Sequence, residues 1–205
     1  KGRGMFTDDR MGVQERSKLS QLAKGFLYQQ VAGKRRAALI PSLKPGRVAE
    51  LVAADVAEGR QVLVWTVFDE ESAIIQGELA SAGVTAAVLD GSMSEDARTE
   101  SLARFRSGDV QALISKASLL GYGMNLQFCR SMVFSGFDDS FERMYQAIRR
   151  CYRFGQTETV RVHVPYIPEL EGMIFNNIRA KEARFMHDVD QQEAEYLKAM
   201  QGRGL

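Results

Sequence analysis

The sequence lacks the residues that several protein classes depend on. Among its 205 residues are only two cysteines, Cys129 and Cys151, which lie far apart and have no CxxC or Cys/His companion. Neither a zinc site nor a disulfide framework is indicated, and buried free thiols in a reducing compartment are expected. No run approaches the roughly 18 apolar residues of a membrane span, and the polar N-terminal segment has no signal-peptide core. We therefore expect a soluble protein of the cytoplasm.

An excess of charge of one sign is also missing. The 27 lysines and arginines against 26 aspartates and glutamates give a formal net charge of +1, so any nucleic-acid contact must come from local patches. There is no GxxxxGK[ST] phosphate loop, no GxGxxG fingerprint and no Asp-Glu box for magnesium; GKRR at 33–36 lacks the glycine spacing and the hydroxyl residue. His163 and His187 have no metal-binding companion, and both are expected to be structural.

From Gln61 onward, short apolar runs alternate with longer helical stretches. This pattern is typical of successive βα units with a parallel sheet covered on both faces, and right-handed crossovers make it a doubly wound α/β domain. The expected strands are 62–67, 85–90, 111–115, 131–135 and 160–164. Four helices are expected. The first is capped by Asp69 and ended by Gly83, and the second spans 95–107 and is closed by Gly108. The third runs from about Ser140 through the segment 146–156, and the fourth spans 169–187 and resumes to Met200.

The first sixty residues have a different pattern. It predicts a helix near 14–30, a basic turn at 33–36 and a second helix near 45–58. We therefore divide the chain into a helical lead-in at 1–43 that packs on the main domain, the α/β domain at 44–187, and a C-terminal helical tail at 188–205.

The segment 146–156, QAIRRCYRFGQ, crowds three arginines around an apolar thread. As a helix with 100° per residue it has an apolar side formed by Phe141, Met144, Tyr145, Ile148, Cys151 and Tyr152. On the other side Gln146, Arg150 and Arg153 fall in one row. A plain solvated face is the alternative, but exposed faces usually mix signs, and crowded guanidinium groups repel one another unless an anion lies between them. Because the planar guanidinium fork suits phosphate oxygens, phosphate binding is the favoured interpretation.

The same segment resembles motif VI of superfamily 2 helicases, in the QAxxRxxRxGQ form of the Swi/Snf-like DNA translocases. Two further runs are similar to that family: KPGRVAELVAADVAEGRQVLVW at 44–65, before motif IV, and AAVLDGSMSEDARTESLARF at 86–105. The resemblance covers about residues 44–181. Within it, the sequence at 118–156 is most similar to the corresponding segment of family members from phages and prophages. Several motifs occur in the right order at the right spacing.

The resemblance implies the second of two RecA-like lobes that together hold ATP with Mg²⁺. The first lobe, absent here, holds most of the nucleotide. By similarity, Arg150 and Arg153 are the catalytic arginines that reach the triphosphate, at least one as an arginine finger, and Gln146 orients groups near the same site. Arg149 stands where chromatin-remodelling relatives usually carry an acid, and its role stays unassigned.

The loop at 115–126 resembles motif V, which couples the nucleotide to the nucleic acid. Gly121 and Gly123 would let the backbone turn tightly beside a ligand, although plain turn glycines are the alternative. By similarity, Asn125 makes a polar contact to the ribose or to a motif VI arginine. Lys116 and Ser118 are expected to contact phosphate at the strand end.

Three further positions resemble the motif IV and IVa residues that touch the DNA backbone: Thr66, Gly91 and Ser92. They lie at or just beyond predicted strand ends, where α/β folds present their ligand-binding loops. Such contacts are independent of sequence and sensitive to salt. For Ser92 a turn or helix-stabilising role is the alternative, and we assign Trp65 and Phe68 to packing.

The resemblance thus implies a motor lobe of a DNA-stimulated ATPase that translocates on or remodels double-stranded DNA by domain closure. Its partners are DNA and the N-terminal RecA-like lobe of the same protein, and alone it is expected to be inactive as an ATPase. A non-catalytic DNA-binding or interaction module with this fold is the alternative. The QAxxRxxRxGQ wording, rather than HRxGRxxR, disfavours a DEAD-box RNA helicase, and no nucleophile with a base marks a small-molecule enzyme.

Overall fold

The computed structural model describes residues 12–119 and 126–202, which form seven strands and six helices. In chain order they are α1 (Val13–Ala23), β1 (Phe26–Val31), β2 (Lys34–Leu39), α2 (Lys44–Ala57), β3 (Val62–Thr66), α3 (Asp69–Ser81), β4 (Ala86–Leu89), α4 (Glu95–Ser107), β5 (Ala112–Lys116), β6 (Ser131–Phe134), α5 (Phe141–Ile148), β7 (Arg161–His163) and α6 (Pro168–Gly202).

Five of the strands form a parallel sheet in the order β4-β5-β3-β6-β7. The central strand β3 is buried along its whole length. Helices α2 and α3 pack their apolar side chains on one face of the sheet, while α4, α5 and α6 pack on the other. The predicted α/β class with a doubly wound parallel sheet is therefore confirmed.

Several helix ends follow the sequence signals closely. The Ser94 hydroxyl accepts a hydrogen bond from the amide of Ala97 at the start of α4, and Gly108, with φ of 92°, ends that helix. At α3, however, the N-cap is Phe68 and not Asp69. The Glu71 carboxylate accepts hydrogen bonds from the amides of Val67 and Phe68 and takes over the capping.

The prediction for the lead-in is wrong beyond Ala23. The chain forms an antiparallel hairpin of β1 and β2 where a helix was expected to continue to residue 30. Gly25, with φ of 85°, ends the helical segment, and Ala32 and Gly33 both have positive φ. A two-residue loop with positive φ at both positions matches the twist of a hairpin. Helix α6 also differs from expectation, since it runs through His187 without a break.

A buried group of charges fastens the lead-in to the rest of the fold. The Lys24 ammonium, just beyond α1, donates to Glu171 of α6 at 2.7 Å and to the Ser20 hydroxyl at 2.6 Å. The Lys44 ammonium, at the start of α2, donates to both carboxylate oxygens of Glu171 at 2.7 and 2.5 Å. All three charged side chains are almost fully buried. We call Lys24, Lys44 and Glu171 the ionic cluster.

The ionic cluster changes the protonation equilibria of two of its members, Lys44 and Glu171. Burial, and next the nearby charge of Lys24, lowers the pKa of Lys44 from 10.5 to about 8, although Glu171 opposes the shift. Burial disfavours the Glu171 carboxylate, but Lys24 and Lys44 outweigh burial and hold its pKa below the ordinary 4.5. Lys44 and Glu171 are therefore charged together at neutral pH.

A second polar group joins α2 to the amino-terminal ends of β6 and β7. The Asp55 carboxylate, almost fully buried, bonds to the Ser131 hydroxyl, to Arg161 and, at 2.9 Å, to Nε2 of His163. Burial disfavours this carboxylate, but these hydrogen bonds outweigh burial and hold the pKa of Asp55 below its usual value. His163 thus has a structural contact.

Replacement of the shared acid tests the ionic cluster. We expect Glu171→Ala to lower the free energy of unfolding by about 3–5 kcal/mol, because it leaves two ammonium groups buried without their carboxylate. Urea denaturation measures the change. Glu182→Ala is the control, since Glu182 lies on the same helix in an exposed pair with Arg179 and should cost under about 1 kcal/mol. Equal effects of the two variants would contradict the role of the ionic cluster.

The lowered pKa of Lys44 also predicts a pH dependence. Between pH 8 and 10.5 the unfolded chain binds the Lys44 proton more tightly than the folded chain. Stability attributable to this lysine therefore rises with pH across that window. The free energy of unfolding of the wild type minus that of Lys44→Met should increase from pH 8 to 10.5. A flat or falling difference would show that burial does not lower this pKa.

Candidate nucleotide and nucleic-acid site

The carboxyl ends of the parallel strands meet at one edge of the sheet and bring most of the expected DNA-contact residues together. A cavity of about 110 Å³ between the ends of β3, β5 and β6 is lined in part by Thr66, Lys116 and Ser118. A wider groove of about 540 Å³, between α3 and the end of β4, is lined in part by Gly91, Ser92 and the same lysine. Ligand-binding loops of open α/β sheets occupy this edge.

Thr66 is the least accessible of these residues. Its side chain is almost fully buried, with 3% relative exposure for the residue, and its hydroxyl lies 2.8 Å from the hydroxyl of Ser72 on α3. A phosphate contact through this hydroxyl would have to compete with that hydrogen bond. Thr66 therefore contributes to the packing of α3 on β3.

Carboxylates surround the only lysine expected in this groove. Lys116 forms an ion pair with Asp69, and its charge helps to lower the pKa of Asp90. The main cause of that lowered pKa is the hydroxyl of Ser92, which donates to Asp90 at 2.5 Å while the Ser92 amide donates at 2.7 Å. Ser92 thus stabilises a turn, which was the alternative for this residue, and the charge of Lys116 is offset by nearby carboxylates.

The arginine-rich segment is not a continuous helix, and the expected row of Gln146, Arg150 and Arg153 is wrong. Helix α5 ends at Ile148, so only the glutamine lies on it. The amide of Arg150 bonds back to Ala147 and that of Cys151 to Ile148, which tightens the chain into turns. Both arginines lie beyond the helix end.

Hydrogen bonds to Leu126 and Gln127, at the end of the motif V region, hold these turns. The carbonyl of Arg150 accepts from the amide of Leu126 at 3.2 Å. The Gln156 side chain donates to the carbonyl of Gln127 at 2.8 Å, and the Gln127 side chain donates to the carbonyl of Phe154 at 3.1 Å. The sequence analysis included Gln156 only as the last letter of QAxxRxxRxGQ and assigned no role to Gln127, so this contact was missed.

The side chains of this segment differ in their surroundings. Gln146 and Arg153 are exposed, and neither side chain makes a hydrogen bond or ion pair with any described residue. Arg150 is half-buried. Tyr152, expected on the apolar side, is 55% exposed, and the Arg149 guanidinium lies 6.0 Å from its ring.

The other expected nucleotide contacts are Gly121, Gly123 and Asn125, which lie outside the described residues. Residues that sequence reasoning missed lie beside the smaller cavity. The buried Glu71 carboxylate holds the amide of Val67, beyond β3, and the hydroxyl of Ser135, beyond β6, each at 2.8 Å. No local pattern could indicate this role of Glu71, because its partner Ser135 is 64 residues away.

Within residues 12–119 and 126–202, no helix is long and apolar enough to cross a membrane. The same residues contain no group of three or more histidine, cysteine, aspartate or glutamate side chains that could hold a metal ion.

The fold and the sequence both match known helicase domains. A family model described as the helicase conserved C-terminal domain matches residues 14–155. The chain belongs to this family. A solved structure, the C-terminal part of the Fun30 ATPase domain, is similar with a TM-score of 0.61 and 21% identity over 67% of this chain and 45% of that one. This likeness shows that the helicase domain has the RecA-like fold.

Two curated relatives place the helicase domain within longer proteins. It is 30% identical over 104 residues to a protein of Danio rerio named chromodomain-helicase-DNA-binding protein 1-like, covering 51% of this chain and 10% of the relative. It is 21% identical over 145 residues to the ATP-dependent RNA helicase DBP3 of Yarrowia lipolytica, covering 70% of this chain and 27% of the relative. The helicase domain therefore spans about a tenth and about a quarter of these relatives.

Gly136 lies against the Glu71 side chain in the folded chain, and its replacement tests how closely the groups at this edge of the sheet are packed. A Cβ atom on Gly136 would lie 2.7 Å from both Glu71 carboxylate oxygens and 2.9 Å from Cε of Lys24. We expect Gly136→Ala to lower the free energy of unfolding by about 1–3 kcal/mol, because this overpacking forces buried groups apart.

Gly77→Ala is the matched control, since a Cβ there meets nothing within 4 Å and the residue lies inside α3. It should stabilise the domain by about 0.5–1 kcal/mol. Chemical denaturation of both variants measures the contrast, and a neutral or stabilising effect at Gly136 would show that the edge has room to adjust.

Proposed function

We propose that this chain is the second motor lobe of a Swi/Snf-like, DNA-stimulated ATPase that translocates on or remodels double-stranded DNA. The observation that carries the proposal is the arginine-rich turn after α5. It presents Arg153 to solvent without an ion pair in the described part of the chain, while the pair Gln127 and Gln156 holds the surrounding backbone. An unpaired guanidinium on a braced turn is suited to an anion supplied from outside the domain.

The anion in this proposal is the triphosphate of ATP, held with Mg²⁺ mainly by the N-terminal RecA-like lobe of the same protein. Bound ATP supplies the phosphoryl group that is transferred to water. Arg153 and Arg150 would stabilise the charge on the triphosphate oxygens, with at least one as an arginine finger. Gln146, exposed near the end of α5, would orient groups at the same site. In motif V, Gly121 and Gly123 would let the backbone approach the ligand, and Asn125 would make a polar contact to the ribose or to a motif VI arginine.

DNA rather than RNA is the proposed track. The names of the two relatives point to both, since one is named a DNA-binding protein and the other an RNA helicase. The QAxxRxxRxGQ wording favours the DNA translocases. Backbone contacts are proposed for Gly91, Lys116 and Ser118, and with less support for Thr66 and Ser92, whose hydroxyl groups already have partners. A phage or prophage origin and a cytoplasmic location stay predictions.

Arginine substitutions in the protein that carries both lobes test the proposal. We expect Arg150→Ala and Arg153→Ala to reduce DNA-stimulated ATP hydrolysis, with a loss on the order of 10³ for the arginine that acts as the finger. Steady-state phosphate release at saturating DNA measures the loss, and DNA affinity at the same salt concentration should change little.

Arg179→Ala is the control, because Arg179 is an exposed arginine on α6 that already pairs with Glu182. Its ATPase rate should equal that of the wild type. Full turnover in both motif VI variants would exclude an arginine finger here. The absence of ATPase activity from the wild-type two-lobe protein would favour the alternative, a non-catalytic DNA-binding or interaction module.

A further inference from the structure

The hairpin of β1 and β2 carries a positive charge that the proposed function does not use. Residues 16–49 contain eight lysines and arginines and no aspartate or glutamate, although the whole chain has a formal net charge of only +1. Such charge asymmetry is a feature of surfaces that meet an anionic partner. Residues 16–49, which include the hairpin, are therefore a strongly basic part of the chain.

Some of these charges are neutralised by acids from elsewhere in the fold. The ionic cluster pairs Lys24 and Lys44 with Glu171, and Arg47 forms an exposed ion pair with Glu50. Arg16 likewise pairs with Asp139 at 3.0 Å. These four residues are accounted for within the domain.

The three basic residues of the hairpin differ from them. Lys34, Arg35 and Arg36 are exposed, and none of them forms an ion pair with a described residue. Arg35 instead lies over the ring of Tyr28, with 3.7 Å from its guanidinium carbon to the ring centroid. Three neighbouring positive charges without a counter-ion repel one another, and an external anion would relieve that repulsion.

The strand register arranges these charges on both faces of the hairpin. Lys34 pairs with Val31 and Arg36 with Gln29, so the two cations share one face. Residues two apart on a strand are separated by about 6.8 Å, which lets the two side chains reach different phosphate groups. The stacked Arg35 lies on the opposite face, opposite Gln30.

Aromatic contacts fix the base of the hairpin at the edge of the sheet that carries the candidate site. Phe26 is fully buried, and its ring lies 5.5 Å from that of Phe68, which follows the carboxyl end of β3. The centroid of the Tyr28 ring lies 6.3 Å from that of Phe68. The Tyr28 amide donates a hydrogen bond to the side chain of Gln21 on α1. Residues 29–36 are all exposed beyond this base.

We propose that Lys34 and Arg36, with Arg35 behind them, form a contact for the phosphate backbone of the DNA duplex, separate from the helicase motifs. The proposal rests on the proposed function, because it assumes that duplex DNA passes the carboxyl edge of the sheet. Lysine and arginine side chains on an anchored two-stranded ribbon suit phosphate oxygens, and no base-reading pattern is needed. In the neighbouring groove, by contrast, Lys116 is already paired with Asp69.

Salt-dependent binding of the chain to a short fluorescent DNA duplex tests this contact. Each phosphate neutralised contributes about 0.9 to the slope of log affinity against log salt concentration. We therefore expect Lys34→Gln with Arg36→Gln to reduce that slope by about 2 and to weaken binding most at low salt. Fluorescence anisotropy between about 50 and 200 mM salt gives the slope.

The matched control removes two charges at the opposite edge of the sheet. Arg60 and Arg104 lie beside the amino ends of the strands, and their double replacement by glutamine should leave the slope close to that of the wild type. Unchanged thermal unfolding of both double variants confirms that each is folded.

The outcomes separate the hairpin contact from the proposed function. A wild-type slope in the Lys34 and Arg36 variant, with normal DNA binding, would overturn the hairpin contact and leave the proposed function intact. A reduction of the slope that appears with duplex RNA and not with duplex DNA would overturn the choice of DNA for this surface. No binding of the wild-type chain to duplex DNA under any condition would overturn the hairpin contact, while the ATPase test of the two-lobe protein decides the proposed function separately.

Discussion

The burial of Lys24, Lys44 and Glu171 is the constraint on which the rest of the arrangement depends. Two ammonium groups and one carboxylate are stable inside a protein only when they meet, because each alone carries a desolvation cost of several kcal/mol. The cluster joins the end of α1 and the start of α2 to α6. Two of its members, Lys24 and Glu171, are 147 positions apart in the chain. The hairpin begins two residues after Lys24, so its position at the sheet edge follows from the same pairing.

The candidate site is built outward from this base. The Lys24 side chain also lies beside Gly136. At the same place the Glu71 carboxylate accepts hydrogen bonds from the Val67 amide and the Ser135 hydroxyl, and so links the loops after β3 and β6. The Gln156 side chain donates to the carbonyl of Gln127, and the Gln127 side chain donates to the carbonyl of Phe154, so these bonds hold the turn that carries the arginines. The carboxyl edge thus carries cationic side chains on irregular segments whose backbone is held by hydrogen bonds, and such segments can position charged groups for a ligand.

Local signals explain what the sequence could predict. The five parallel strands and the limits of α4 were foreseen, because apolar runs, an N-cap serine and Gly108 act within a few residues. The hairpin was missed although the Ala-Gly turn was readable, since the helical pattern of α1 was extended through Gly25. The early end of α5 and the ionic cluster depend on partners far along the chain, such as Leu126 for Arg150, which no local pattern encodes.

In the proposed function, the arginines of this domain act on a nucleotide that another lobe holds. Phosphate release from ATP, measured with Mg²⁺ and duplex DNA for the chain by itself and for the protein that includes the first lobe, is the decisive test of this arrangement. We expect release only when the first lobe is present. Sustained release by the chain alone, at the rate of the two-lobe protein, would contradict it.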